Sequence, residues 1–127
     1  MKRFDLITIF PHILDSYFSE SILKRAQDKR LIKITTHDLR KFANERHKKV
    51  DDSPYGGGPG MVLQIGPIYQ AVRKLKSLKL IGSKKKSTNL QTGKRKTRVI
   101  LFSTRGEKFD AKMAKGLSKY GQLIFIC

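Results

Sequence analysis

Two short stretches concentrate the residue types that perform chemistry. In residues 46–54 (RHKKVDDSP) the cations Arg46, Lys48 and Lys49, the imidazole of His47 and the carboxylates Asp51 and Asp52 fall within a few positions. The cations can hold phosphate. A carboxylate can accept from a base edge or take a proton, and His47 can do either. Directly after them, Tyr55-Gly56-Gly57-Gly58-Pro59-Gly60 sets four glycines around one proline. Glycine opens positive φ and close backbone approach, and Pro59 fixes one φ. Successive exposed N–H groups in such a turn make a nest for a phosphate or a flat base. A tight connector without ligand also accounts for the glycines, and loop capping for the paired carboxylates. Neither GxxxxGK[ST] nor GxGxxG spacing is present, so a P-loop nucleotide enzyme carries little weight. The second stretch, Leu101-Phe102-Ser103-Thr104-Arg105-Gly106, runs from an apolar segment into a turn. An α/β sheet presents backbone groups to a cofactor at such a strand end, although every α/β protein has them.

Positioning these groups requires elements on either side. Residues 3–9 (RFDLITI) and 122–127 (QLIFIC) are apolar runs and predict buried strands, and the continuous run 98–102 (RVILF) predicts a central parallel strand. Residues 32–36 (IKITT) alternate and predict another. Helices are expected over 12–18, over 19–29 with Ser19 as N-cap and Ile22, Leu23 and Ala26 inward, over 67–80 and over 109–119. Residues 39–42 add a helical turn. Residues 43–60 read as one long polar loop, and eighteen residues without regular structure in a compact domain point to function or disorder. Strands alternating with helices give an α/β fold with a mostly parallel sheet and flanking helices.

The chain has 127 residues, the size of a single domain. A 39% hydrophobic content with 7 Phe and 4 Tyr supports a real core and argues against disorder throughout. Cys127 is the single cysteine, which excludes an internal disulfide framework and fits a reducing compartment. His12 and His37 lack companions at metal-ligand spacing, so no metal is expected. No apolar run is long enough for a membrane span, and Asp5 interrupts the one segment a signal peptide would need. A cytoplasmic protein is expected. The formal net charge is +18, which points to a polyanionic partner, nucleic acid before membrane. That charge is uneven. Residues 1–72 hold 12 Lys/Arg against 8 Asp/Glu, residues 73–127 hold 16 against 2, and no acid occurs from Ser53 to Gly106. Residues 83–97 (SKKKSTNLQTGKRKT) read as a flexible basic insert, either a solvated surface loop or an RNA contact.

Four blocks together resemble the bacterial tRNA (guanine-N1)-methyltransferase family of the knotted SPOUT class: FDLITIFP, SILKRAQ, HKKVDDSPYGGGPGMVL, and VILFSTRG followed by QLIFIC. The resemblance covers the chain except the basic insert. It implies transfer of a methyl group from S-adenosylmethionine to N1 of the guanine 3′ of the anticodon. It places Leu101, Phe102, Ser103 and Thr104 against the donor. It assigns Arg46, His47, Lys49, Asp51, Asp52, Tyr55, Gly56, Gly57, Gly58 and Gly60 to the guanine and tRNA side. It also implies a homodimer for the intact protein. Thr104 stands where the family usually has proline, and the insert is longer and more basic than the resemblance implies. In that family a glycine-tyrosine-glutamate block, the knot, the general-base aspartate and a helical tRNA-binding domain follow the strand matching QLIFIC. The chain therefore reads as one incomplete domain over 1–127, the N-terminal part of such an enzyme, with no catalytic base of its own and no turnover alone. A non-catalytic basic RNA-binding remnant is the alternative.

Overall fold

The computed structural model describes residues 1–43, 48–77 and 96–127. Four strands, β1 (Lys2–Thr8), β2 (Ile32–Asp38), β5 (Thr97–Leu101) and β6 (Gln122–Ile126), form one sheet in the order β2-β1-β6-β5. Every pairing in it is parallel, as the alternation of strands and helices requires. The last strand therefore inserts between β1 and β5. This corrects the expectation of a central RVILF: β5 pairs on one side only, with β6, and is the edge strand among the described residues. A central strand is covered on both faces, which explains why QLIFIC is continuously apolar. Leu123, Ile124 and Ile126 are buried.

Three of the helices are shorter than their sequence windows. α1 (Asp15–Phe18) is a single turn, because residues 11–14 form turns ahead of it. Ser19 ends α1 rather than capping the next helix, and its hydroxyl donates to the Ser16 carbonyl at 3.0 Å. α2 (Ser21–Asp28) follows an extended Glu20 that caps through backbone conformation alone. Ile22 is 75% exposed, so the inward stripe is Leu23, Ala26 and Gln27, the last donating to the Phe18 carbonyl at 2.8 Å. α4 (Ala111–Leu117) starts after Asp110, whose carboxylate accepts from Met113 N–H at 2.7 Å. This side-chain cap satisfies a donor that the first helical turn leaves open, and it excludes Phe109 from the helix.

α3 (Ile65–Ser77) begins two residues before Pro67. A proline in the first turn loses no intrahelical bond, so it does not mark the boundary. Ala71 and Leu75 of α3 are fully buried against Ile7 of β1 and Ile124 of β6, together with Leu39 from a 3₁₀ turn (Leu39–Phe42). On the opposite sheet face Phe125 stacks with Phe4 at 6.4 Å and with Phe102 at 5.7 Å between centroids. Leu75→Ala removes a side chain that holds α3 to the sheet. It is expected to cost about 3 kcal/mol, the range for a fully buried leucine, read as a lower urea midpoint at unchanged slope.

Two expectations about loops are corrected. The stretch 43–60 is not one structureless loop: Val50 is buried, and β3 (Asp51–Asp52) pairs antiparallel with β4 (Val62–Leu63). The basic insert ends before Thr97, which opens β5 and bonds Gln122 across the sheet at 3.2 Å. The rest of that insert, residues 83–95, lies outside the described residues, as do positions 78–80 expected in α3. Among the described residues no helix is long and apolar enough to cross a membrane.

Candidate functional site

Because all four main strands run the same way, their carboxyl ends collect along one edge. Open α/β sheets bind ligands there. β1 and β6 stop almost together, and Cys127 N–H still donates to the Ile7 carbonyl at 3.0 Å. Beyond them the chain turns at Ile9-Phe10. The Phe10 N–H donates to Thr8 Oγ1 at 3.2 Å, and Arg40 from the 3₁₀ turn donates its guanidinium to the Ile9 carbonyl. The β3–β4 ladder folds over this edge, fixed by Gln64 N–H to the Val50 carbonyl at 2.7 Å.

Between ladder and strand ends lies a cavity of about 480 Å³. Leu6, Thr8, Ile9, Phe10, Ile13 and Leu14 form one wall, and Asp51, Met61, Val62 and Leu63 the other, with Cys127 at the rim. The lining is apolar apart from Asp51, Thr8 and backbone. Asp51 is half-buried, and its main chain pairs with Leu63. An apolar slot with one carboxylate suits a flat heterocycle with an N–H to donate. Desolvation pushes the Cys127 thiol above its ordinary value, which disfavours a thiolate nucleophile here.

The glycine segment forms the tip of the β3–β4 hairpin. Gly57 N–H closes a turn on the Pro54 carbonyl at 3.1 Å, and Gly56 takes φ +86° at its third position, a type II turn. Gly57, Gly58 and Gly60 also have positive φ, and Cβ atoms built there would meet nothing within 4 Å. The glycines are thus needed for backbone shape, not for space inside the protein. Tyr55 beside them is 98% exposed. Gly56→Val places a β-branched residue at positive φ and is expected to cost about 1–2 kcal/mol, with Gly56→Asn costing less. Chemical unfolding of the two variants side by side checks this order.

Of the sequence-expected residues, Asp51 alone reaches the cavity wall. Asp52 faces outward, caps Ser53 N–H at 2.8 Å and lies 4.0 Å from Lys49 Nζ. Tyr55, Gly56, Gly57, Gly58 and Gly60 stand at the exposed tip. Arg46 and His47 lie outside the described residues. Leu101, Phe102, Ser103 and Thr104 sit at the end of β5, on the far side of β6 from the cavity. There Phe102 N–H donates to the Ile126 carbonyl at 3.1 Å, and Ser103 holds a turn by accepting from Arg105 and Gly106 N–H, both at 3.2 Å. Leu101 and Phe102 expose 69% and 61% of their surface. Together they leave an exposed apolar surface at the end of β5.

Under the sheet lies a feature the sequence reading missed. Asp5, on β1, is completely buried. Its Oδ1 accepts from Arg3 Nη2 and from His37 Nε2, each at 2.9 Å, and its Oδ2 accepts from Gln122 Nε2 at 2.6 Å. Burial pushes the carboxyl up. The bonds from His37, Gln122 and Arg3, with the charge of Arg3, outweigh it and hold the group below its ordinary value. One polar residue inside the apolar run FDLITI was the available signal. Among the described residues no group of three His, Cys, Asp or Glu side chains could hold a metal ion.

The family model described as tRNA (Guanine-1)-methyltransferase TrmD matches residues 1–127. The chain belongs to this family. Curated tRNA (guanine-N(1)-)-methyltransferases are its relatives: the chain is 44% identical to that of Dictyoglomus turgidum over 100% of its own length and 45% of the relative's. It is 43% identical to that of Methylacidiphilum infernorum over 98% and 47%. The crystal structure of tRNA (m1G37) methyltransferase from Aquifex aeolicus superimposes with a TM-score of 0.77 at 36% identity, covering 99% of this chain and 50% of that one. The chain thus spans about half the length of the methyltransferases it matches. Its parallel sheet and helices are those of the family's SPOUT domain.

Proposed function

We propose that these residues form the guanine-facing part, and one wall of the donor site, of a tRNA (guanine-N1)-methyltransferase acting on the guanine 3′ of the anticodon. The observation that carries this is the strand-end cavity, in which Asp51 is the one carboxylate of an apolar slot walled on one side by the β3–β4 ladder. Membership of the family supports it.

In this reading Leu6, Phe10, Met61 and Val62 flank and desolvate the base. Asp51 accepts from the exocyclic amine of guanine, which fixes the ring and leaves N1 turned toward the donor. The hairpin tip offers N–H groups to the adjoining phosphate. Leu101 and Phe102, with the Ser103-Thr104 turn, form a wall for the adenine of S-adenosylmethionine, which supplies an electrophilic methyl group when bound. Guanine N1 carries a proton, so forming the N1–carbon bond requires its removal. In this reading the Asp51 carboxylate is engaged by the exocyclic amine, and the proton goes to a base other than the described residues. Most of the rate these residues contribute is therefore positioning. The 127-residue polypeptide alone is expected to show no turnover.

The reading includes a homodimer in the cytoplasm, where tRNA is modified. The exposed apolar side chains at the strand ends, Phe10, Ile13, Leu101 and Phe102, favour a covered interface there. The test uses the native gene product, labelled S-adenosylmethionine and an unmodified tRNA transcript. The expected product is 1-methylguanosine at the position after the anticodon. Salt-dependent tRNA binding with no methyl transfer would replace this account with the RNA-binding remnant, which the charge of +18 favours.

A further inference from the structure

The solvent side of α3 carries a second concave surface, sharing no residue with the strand-end cavity. It is a groove of about 560 Å³ between α3 and the end of the 3₁₀ turn. Tyr69, Gln70, Arg73 and Lys74 line the helix side, and Lys41 and Phe42 face them. The helix puts these residues on one face because 69 and 73, and 70 and 74, are four apart, while Ala71 and Leu75 turn inward and are buried.

Among the described residues the charge in the groove has one sign. α3 contains no acid, and neither does the 3₁₀ turn. The neighbouring Asp38 is 4.0 Å from Arg40, not from the groove cations. Among the described residues Lys41, Arg73 and Lys74 form no ion pair. Lys74 Nζ instead stands 5.6 Å from the centre of the Phe42 ring. That cation–π contact holds an ammonium group at the groove wall without neutralising it. Tyr69 adds a ring that is 63% exposed. A row of cations beside an open aromatic face is the arrangement that follows a nucleic-acid backbone and stacks an unpaired base.

We infer that this groove is a second RNA-contact site, in which Lys41, Arg73 and Lys74 bind backbone phosphates of the tRNA at a distance from the methylated guanine while Tyr69 stacks on an exposed base. The inference rests on tRNA being the substrate. It makes the groove a determinant of substrate affinity and not of the chemical step.

The test compares the native gene product with a K41Q/R73Q/K74Q variant and with a K24Q/K29Q/K33Q control, which removes equal charge from α2, the turn after it and β2. Direct tRNA binding is measured across a salt series, and methyl transfer alongside it. The groove variant is expected to bind tRNA about tenfold more weakly at moderate salt, with a log–log salt slope smaller by about 2–3. KM for tRNA should rise in step while kcat at saturating tRNA and donor binding stay unchanged. Tyr69→Ala should weaken binding with no change of slope, since stacking releases no counterion. An unchanged slope in the groove variant overturns the inference, and so does an equal loss in the control. Competition by polyglutamate as effective as by tRNA also overturns it and assigns the groove to an acidic protein. Failure of methyl transfer in the unmutated protein, with the binding differences intact, refutes the enzymatic reading and leaves the groove standing.

Discussion

Asp5→Ala is expected to destabilise the protein by about 3 kcal/mol, the cost of removing one partner of a buried, hydrogen-bonded charge pair. The carboxylate is fully buried and accepts from three side chains. Without it, the Arg3 guanidinium, the His37 N–H and the Gln122 amide lose their acceptor in a place water reaches poorly. Those donors come from β1, β2 and β6, so the loss acts on three strands of the sheet at once. The same group sets an acid limit. Its folded pKa lies below the unfolded value. Its stabilisation is therefore complete above the unfolded carboxylate range and is lost as pH falls from about 4 through the folded value. Urea unfolding at pH 7, 5, 4 and 3 checks both parts. The parent should lose stability over the acid steps. The alanine variant should start lower and lose less. A variant as stable as the parent at pH 7 contradicts the network's role.

Asp51→Ala is expected to lower kcat/KM for tRNA methylation by about 10–100-fold, the worth of a good contact to a base edge. Stability should hardly change, because Asp51 contributes its main chain, not its side chain, to the β3–β4 ladder. Asp52→Ala is the matched control. It loses an exposed 4.0 Å pairing with Lys49 and a local cap, and its effect should stay below about threefold, as for an exposed ion pair. Equal losses in the two variants would show that the loop's charge matters and that the cavity-facing position of Asp51 does not.

Much of the sheet was legible because its strands are continuously apolar. QLIFIC is covered on both faces, whereas RVILF, as continuous, forms the edge strand β5 with Arg98 and Leu101 exposed, so an apolar run marks a strand but not its place in the sheet. α3 was legible from Ile68, Ala71, Val72 and Leu75, whose spacing keeps one stripe inward. Smaller features left no periodic trace. A two-residue ladder such as Asp51–Asp52 with Val62–Leu63 is too short to alternate, and its pairing depends on Val50 being drawn into the core. Ser19 looks like an N-cap, yet the preceding helical turn claims it. The site was legible as segments and not as an arrangement. The glycine segment is where the backbone needs positive φ. The sequence could not show that the β5 end lies beyond β6 from the cavity, since strand order is set by a long-range pairing. Nor could it show that Phe10 and Met61, separated by fifty residues, face one another across the cavity. Asp5 was visible as a polar residue in an apolar run, but its three partners lie 2, 32 and 117 positions away.

The central claim is that the target guanine enters the cavity beside Asp51. A tRNA transcript carrying 6-thioguanosine at the position after the anticodon tests it directly, by photocrosslinking to the native gene product and peptide mapping. The account predicts crosslinks within residues 6–14 and 51–63, suppressed by unmodified tRNA. Crosslinks confined to the α3 groove or to other surfaces, with those two segments untouched, would contradict it.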